Sequence, residues 1–417
     1  MIYYGITFIM MTTLYLYTAI KKNKLINIMF YKYLNLGITM VFFHTLYLSI
    51  AREYFEIDIS DIYLIVYCWL SYIGCTCVTL KKNKNEKLER MLSFRKKKFP
   101  SNFVIISMIL IFCGYWIINY QLLFTALKNP RLFYTSTRLG GGIIYYVILP
   151  IGMFLFVYFI SSIDATKNIN MLKIIFFVVL FGMFFYLFGQ KAKIVSLMVY
   201  TLSIYSVTRK RRDVNKKIFK YGIVFAIVIL AIFSLYFAQQ GIKMKNIMTT
   251  LINYSDYVDN FKKLVLYHKD YQYGKIFFED EFYSYIPRAL WKGKPELFGS
   301  LRLGLEVPAL REWTLAKTGA PSFGPIGSYY ADFGVIGIFV AAIVDILFAK
   351  IAVFYDQLLE KNGFNIFNYL MLMTFVGYAP FSLTLTKIPL YQVFVTILVY
   401  KASRYRLIIN KGRKRSA

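Results

Sequence analysis

The stretch Tyr285-Ile-Pro-Arg288-Ala-Leu-Trp291-Lys-Gly-Lys294-Pro295 lies in a long polar run, residues 239–322, with apolar segments of membrane-crossing length on both sides. Those segments repeatedly reach the roughly 20 residues needed to cross a bilayer core. Hydrophobic residues make up 58% of the chain, aromatics 19% and charged residues only 17%, which excludes an ordinary soluble domain. The fold class that follows is an all-α polytopic membrane protein with one large external loop.

Candidate spans fall at residues 2–20, 34–51, 61–80, 101–121, 141–160, 172–189, 191–207, 218–238, 325–349, 366–385 and 388–402. The chain then divides into residues 1–238 with about eight spans, the loop 239–322, and residues 323–417 with about three spans and a basic tail. A formal charge of +29 suggests nucleic acid in a soluble protein, so its placement decides its meaning. Here it sits between the spans, on alternate connections. One set holds Lys21 to Lys24, Lys81 to Lys98, Arg209 to Lys220 and the tail from Lys401 to Arg415, joined by Lys32, Lys167, Lys173, Lys350 and Lys361. By the positive-inside rule this set is cytoplasmic, and the long loop is external (periplasmic). No nucleic-acid partner is expected. The N-terminus is expected outside, and the first segment lacks the charged n-region and cleavage site of a removable signal peptide.

Cys68, Cys75, Cys77 and Cys113 fall within spans without metal-ligand spacing, so they read as packing residues. Neither a metal nor a cofactor is expected. A Walker-type phosphate loop and an internal repeat are also missing, which counts against an ATP-driven machine.

Two short features outside the spans join the loop as candidate anion sites. Arg138 precedes Gly140-Gly-Gly142, where backbone can approach a ligand closely near a helix N-terminus. Lys191 and Lys193 occupy a tight external turn, against the usual charge bias, and are candidates to meet a diphosphate; the plainer reading is snorkelling at the interface. In the loop, Arg288 and Lys294 are the strongest anion binders, between stiffening prolines Pro287 and Pro295. Trp291, Tyr283 and Tyr285 suit stacking on sugar rings or anchoring in the lipid interface. Asp332 reads as a cap or terminator of the helix that follows it, Asp345 as interfacial near Lys350, and His44 as a packed or hydrogen-bonded residue.

The span pattern, Ile286-Pro-Arg288 through Lys294-Pro295, and Gly327 to Gly337 with its Tyr-x-x-Phe-Gly core from Tyr330 to Gly334, resemble the O-antigen polymerase family. These are the Wzy-type oligosaccharide repeat unit polymerases of bacterial envelopes. The resemblance implies a multi-pass protein of the bacterial cytoplasmic (inner) membrane with its active site facing the periplasm. It implies a metal-independent, lipid-carrier-dependent glycosyltransferase for surface polysaccharide, O-antigen or capsule. Its substrates are undecaprenyl-diphosphate-linked oligosaccharides, and the growing glycan passes to the incoming lipid-linked unit. Membrane lipids are partners, and a polysaccharide chain-length regulator is a further partner that the resemblance raises.

Such a reaction must stabilise negative charge as the diphosphate leaves. Arg288, Lys294, Arg302 and Arg138 are the candidates for that task, with Trp291 and Tyr330 for substrate binding. One general base is also needed near the attacking hydroxyl; Glu281 and His268 rank above Glu279. An O-antigen ligase shares the spans, the loop and the phosphate problem, and is the nearest alternative. A lipid-linked oligosaccharide flippase or transporter should show paired repeat halves or charges buried in several spans, and the spans read as nearly free of them.

Overall fold

In the computed structural model, the described residues are 1–51, 53–81, 94, 99–121, 147–163, 168–188, 191–208, 256–283, 286, 290–315, 322–324, 326–376 and 387–404. Among them the regular structure is helical. The first helices are α1 (Ile2–Lys22), α2, which runs from Ile28–Lys32 through a π-helical stretch Tyr33–Phe42 to Phe43–Ala51, and α3 (Ile59–Leu80). There follow α4 (Asn102–Ile118), α5 (Val147–Ser162), α6 (Asn168–Leu187) and α7 (Lys191–Thr208). Short helices α8 (Asp256–Tyr267), α9 (Lys275–Phe278), α10 (Ser300–Glu306), α11 (Pro308–Leu315) and α12 (Gly327–Phe333) come next. The chain returns through α13 (Val335–Asn362), α14 (Ile366–Phe375) and α15 (Lys387–Arg404).

Among the described residues, Ile28–Ile50, Ile59–Leu80 and Val335–Asn362 are long and apolar enough to cross a membrane, and shorter apolar helices accompany them. The protein is a multi-pass membrane protein, all-helical among the described residues. The expected span at 218–238 lies outside the described residues, as do all of residues 209–255 and the tail from 405.

Helix ends expose backbone groups that apolar surroundings cannot satisfy, and capping side chains meet that demand. Asn27 accepts the amides of Met29 at 2.8 Å and Phe30 at 3.2 Å at the start of α2. Asp58 and Asp61 form a reciprocal capping box at the start of α3. Asn365 caps α14 as Asn27 caps α2, accepting the amides of Phe367 at 3.0 Å and Asn368 at 3.2 Å.

The central contact is the seam between α13 and α3. Ala341, Ala342, Ala349 and Ala352 are small buried residues along α13, and Gly74 of α3 receives the Ile346 side chain of α13. Inside this seam Asp345 binds Lys32 of α2 and the Ser71 hydroxyl of α3. Both charged residues are buried, at 2% and 5% exposure. This corrects two expectations: Asp345 is interior rather than interfacial, and Lys32 belongs to a helix rather than to a cytoplasmic connection. Because helix α2 begins at Ile28, several residues before the apolar run suggests, Lys32 enters the bundle. Among the described residues this pair is mutually neutralising, unlike the charges scattered over several spans expected of a transporter.

The two ends of the bundle are distinct. At one end Lys24 binds Asp356 at 2.6 Å and Glu360 at 3.3 Å, joining α1 to the end of α13. At the other, the Met1 amine donates to the Glu53 carbonyl at 3.0 Å, and Lys262 of α8 binds Asp61 at 3.0 Å and Asp58 at 3.5 Å. The N-terminus, the connection into α3 and helix α8 therefore share one end. His44 is fully buried there, packed edge-on against Tyr4 at 4.6 Å, with no hydrogen-bond partner among the described residues.

Removing one member of a buried pair strands the other charge, at a cost of about 3–5 kcal/mol, whereas apolar replacement of both is near neutral. Asp345→Ala is therefore expected to lower thermal stability in detergent sharply. Lys32→Met combined with Asp345→Leu should recover most of the loss. Equal losses in the single and double variants would show that the pair does not stabilise the seam.

Candidate functional site

Helix α8 is amphipathic. Tyr257, Val258, Phe261 and Leu264 turn inward, and the Tyr257 hydroxyl donates to the Thr39 carbonyl at 2.5 Å in the π-helical part of α2. Asn260 donates to the Ser322 carbonyl at 3.2 Å, pinning the chain that returns toward α12. The α8 helix thus fastens the polar segment to the bundle and delivers His268 just past its end.

His268 is buried and held at both ring nitrogens. Nδ1 meets the Glu306 carboxylate of α10, and Nε2 lies 2.9 Å from the Ala331 carbonyl of α12. A carbonyl only accepts, so Nε2 must carry a proton. Burial pulls the imidazole pKa down. The hydrogen bond to Glu306, the Ala331 carbonyl and the charges of Glu306 and Asp270 outweigh it, and the net shift is upward from 6.5. In this arrangement the ring has no free nitrogen to take a proton from a substrate. To act as base it would first have to release Glu306.

Asp332 caps a different helix from the one expected. It accepts the amides of Ile276 at 2.9 Å and Phe277 at 2.8 Å, and so caps α9, more than fifty residues upstream. Its burial raises the carboxyl pKa, and the backbone donors at Phe277, Ile276 and Gly274 lower it; the net shift is upward. The Gly334 backbone that follows has φ +59°, a conformation that suits glycine and breaks the chain between α12 and α13. Gly337 lets the first turn of α13 lie directly on the Tyr329 carbonyl. The glycines of the Gly327 to Gly337 stretch therefore serve a close reversal.

The π turn Glu279–Tyr283 extends α9. Glu279 accepts the Gly299 amide at 2.7 Å, and Asp280 accepts the Ser300 amide at 3.1 Å, fixing the start of α10. One turn along α10, Arg302 donates to Gln272 at 3.3 Å and lies 3.8 Å from Glu279. Its Nε is buried without a hydrogen-bond partner among the described residues. The side chain as a whole is 28% exposed, so the outer part of the guanidinium can still donate to an anion. Arg302 and Glu306 share a face of α10 at a spacing of one turn. The structure thus gathers Arg302, His268 and Tyr330 around α10 and α12, with the Tyr330 ring packed between Tyr63, Phe261 and Tyr271.

Lys294 and Trp291 lie beside this group. Trp291 packs edge-on to Tyr283 at 4.7 Å, and Tyr283 meets Phe298 at 5.7 Å. Lys294 donates to the Ile286 carbonyl at 3.0 Å and lies over the Phe298 ring at 4.9 Å. Lys191 and Lys193 stand in the first turn of α7, and their side chains lie outside what the structure describes. The side chain of Glu281 and the whole of Arg138 and Arg288 lie outside the described residues. Sequence reasoning missed Gln272 and Glu306 as partners; only the Arg302/Glu306 spacing on one helix face hinted at the latter. Among the described residues no group of acidic, His and Cys side chains could hold a metal ion.

Over 330 residues, 77% of this chain and 75% of the relative, the chain is 30% identical to a protein of Salmonella typhimurium named O-antigen polymerase. It matches a Salmonella typhi protein of the same name to the same extent. No family model matches the chain, and no solved structure matches it.

The His268 tie carries a pH signature. A raised folded-state pKa stabilises fully below the unfolded value of 6.5 and is lost as pH rises through the folded value. Thermal stability in detergent should therefore fall as pH rises from about 6.5, and His268→Gln should flatten that part of the profile. An unchanged slope in the variant would locate the titration elsewhere.

Proposed function

The chain belongs to the O-antigen polymerase family, and on that premise we propose that it polymerises lipid-linked oligosaccharide repeat units at the α8–α12 end of the bundle. The observation that carries this reading is the relation over three quarters of both chains, 77% and 75%, to proteins named for that activity. The partly unsatisfied Arg302 guanidinium supports the choice of site.

In the proposed reaction a sugar hydroxyl of the incoming unit attacks the anomeric carbon of the glycan carried on undecaprenyl diphosphate. A new glycosidic bond forms, the bond from that carbon to the phosphate oxygen breaks, and undecaprenyl diphosphate leaves with the electron pair. Arg302 donates to the phosphate oxygens, aided by Arg288, Lys294 and Arg138, with Lys191 and Lys193 at the carrier's charged end. Trp291 offers a face to a sugar ring. Tyr330 orders the floor of the site through its neighbours.

The proton of the attacking hydroxyl goes to a carboxylate, and Glu281 is our assignment. Glu279 and Asp280 already hold the start of α10, and His268 is bound at both nitrogens. The loop faces the periplasm on this reading, and the protein lies in the cytoplasmic membrane. A chain-length regulator remains a proposed partner.

Deletion of this gene alone, with the glycans resolved on a gel, tests the function. Single repeat units on the surface lipid with loss of the ladder are expected. Polymer accumulating on the carrier would identify a ligase instead, and units trapped inside a flippase. Arg302→Ala, Arg288→Ala and Lys294→Ala should each shorten or abolish polymer while membrane abundance stays unchanged; normal chain lengths in a variant would remove that residue from the site.

A further inference from the structure

The segment Lys275-Ile-Phe-Phe-Glu-Asp-Glu-Phe-Tyr283 has its polarity reversed relative to a helix in water. Glu279 and Asp280 are buried, at 6% and 5% exposure, while Phe277, Phe278 and Phe282 stand exposed at 40%, 50% and 56%. The carboxylates turn inward because the Gly299 and Ser300 amides need acceptors. That leaves the phenylalanines outside, with Phe278 and Phe282 stacked at 4.4 Å into one plate. Contiguous exposed aromatics on a polar segment call for a covering partner.

The position of the plate identifies that partner. Gly274, which opens the segment at φ +91°, lies against Phe333, and the Phe277 ring faces Tyr329 at 6.1 Å. Phe333 is the last residue of α12, at the threshold of α13. On α13 the exposed residues Ile336, Phe339, Ile343 and Leu347 recur at helical spacing along one face of a helix fit to cross a membrane. The phenylalanine plate therefore continues a lipid-facing stripe around the end of that helix.

We propose that residues 275–283 form a membrane-embedded hook, with Phe277, Phe278 and Phe282 in the acyl-chain region of the leaflet at the Phe333 end of α13. Aromatic side chains favour that boundary, and apolar burial there adds to the anchoring. The hook holds its inward carboxylates, and Arg302 beside Glu279, at the depth of the lipid headgroups. The polar segment is then seated in the membrane surface rather than suspended above it.

The full-length protein, reconstituted in phosphatidylethanolamine and phosphatidylglycerol vesicles, provides the test through Phe278→Trp, with Phe339→Trp as lipid reference and Lys292→Trp as water reference. After subtraction of the native tryptophan signal, acyl-brominated lipid should quench Phe278→Trp comparably to Phe339→Trp, and aqueous iodide several-fold less than Lys292→Trp. Quenching by iodide as strong as at Lys292→Trp, or none by either quencher, would overturn the hook. Phe282→Trp gives the same reading should the first variant fail to insert. The readout needs no substrate, so it stands or falls independently of the polymerase reading.

Discussion

The bond of Asp345 to Lys32 and Ser71 ties together the three longest apolar helices. A lone carboxylate in a bundle interior is heavily penalised by lost hydration, so its two partners are obligatory once it is there. Small residues on α13 permit the close approach, and the ion pair selects one rotation and one height of α13 against α2 and α3. Because α12 joins α13 at Gly334, that setting passes directly to Asp332 and thence to α9. Structure at the polar end is thus referenced to a charge pair in the middle of the bundle.

At that end, side-chain carboxylates act mainly as acceptors for helix starts. Asp332 serves α9, Glu279 and Asp280 serve α10, and Glu306 holds His268. Among the described residues these carboxylates are committed to structure, and Arg302 stands beside Glu279 with its side chain 28% exposed. Arg302 is the partly exposed cation there, and Lys294 donates to the Ile286 carbonyl on the adjacent aromatic turn. A surface with fixed acceptors and spare donors suits a substrate that brings its own phosphate oxygens.

The membrane class and the helical fold were legible in composition and in the lengths of the apolar runs, because hydrocarbon thickness imposes both. The Gly327 to Gly337 stretch was legible as a motif, and the structure supplies its reason: a positive φ at Gly334 and a direct backbone approach at Gly337. Long-range polar pairing was not legible. Lys32 and Asp345 are 313 residues apart, and nothing local marks them as partners. Asp332 stands immediately before a helix, so local reasoning assigned it there, while its real partners lie 55 and 56 residues upstream. His268 carried the same ambiguity, since a sequence shows the ring and not what occupies its nitrogens.

If the proposed reaction is right, this chain alone joins lipid-linked units, and Arg302 helps the diphosphate leave. Purified protein in vesicles, given only undecaprenyl-diphosphate-linked repeat units, tests it most directly. A ladder of polymer is expected, with one undecaprenyl diphosphate released per bond formed, and loss of both in Arg302→Ala protein that retains its thermal stability. Absence of polymer from the wild-type protein, or an undiminished ladder from the variant, would contradict it.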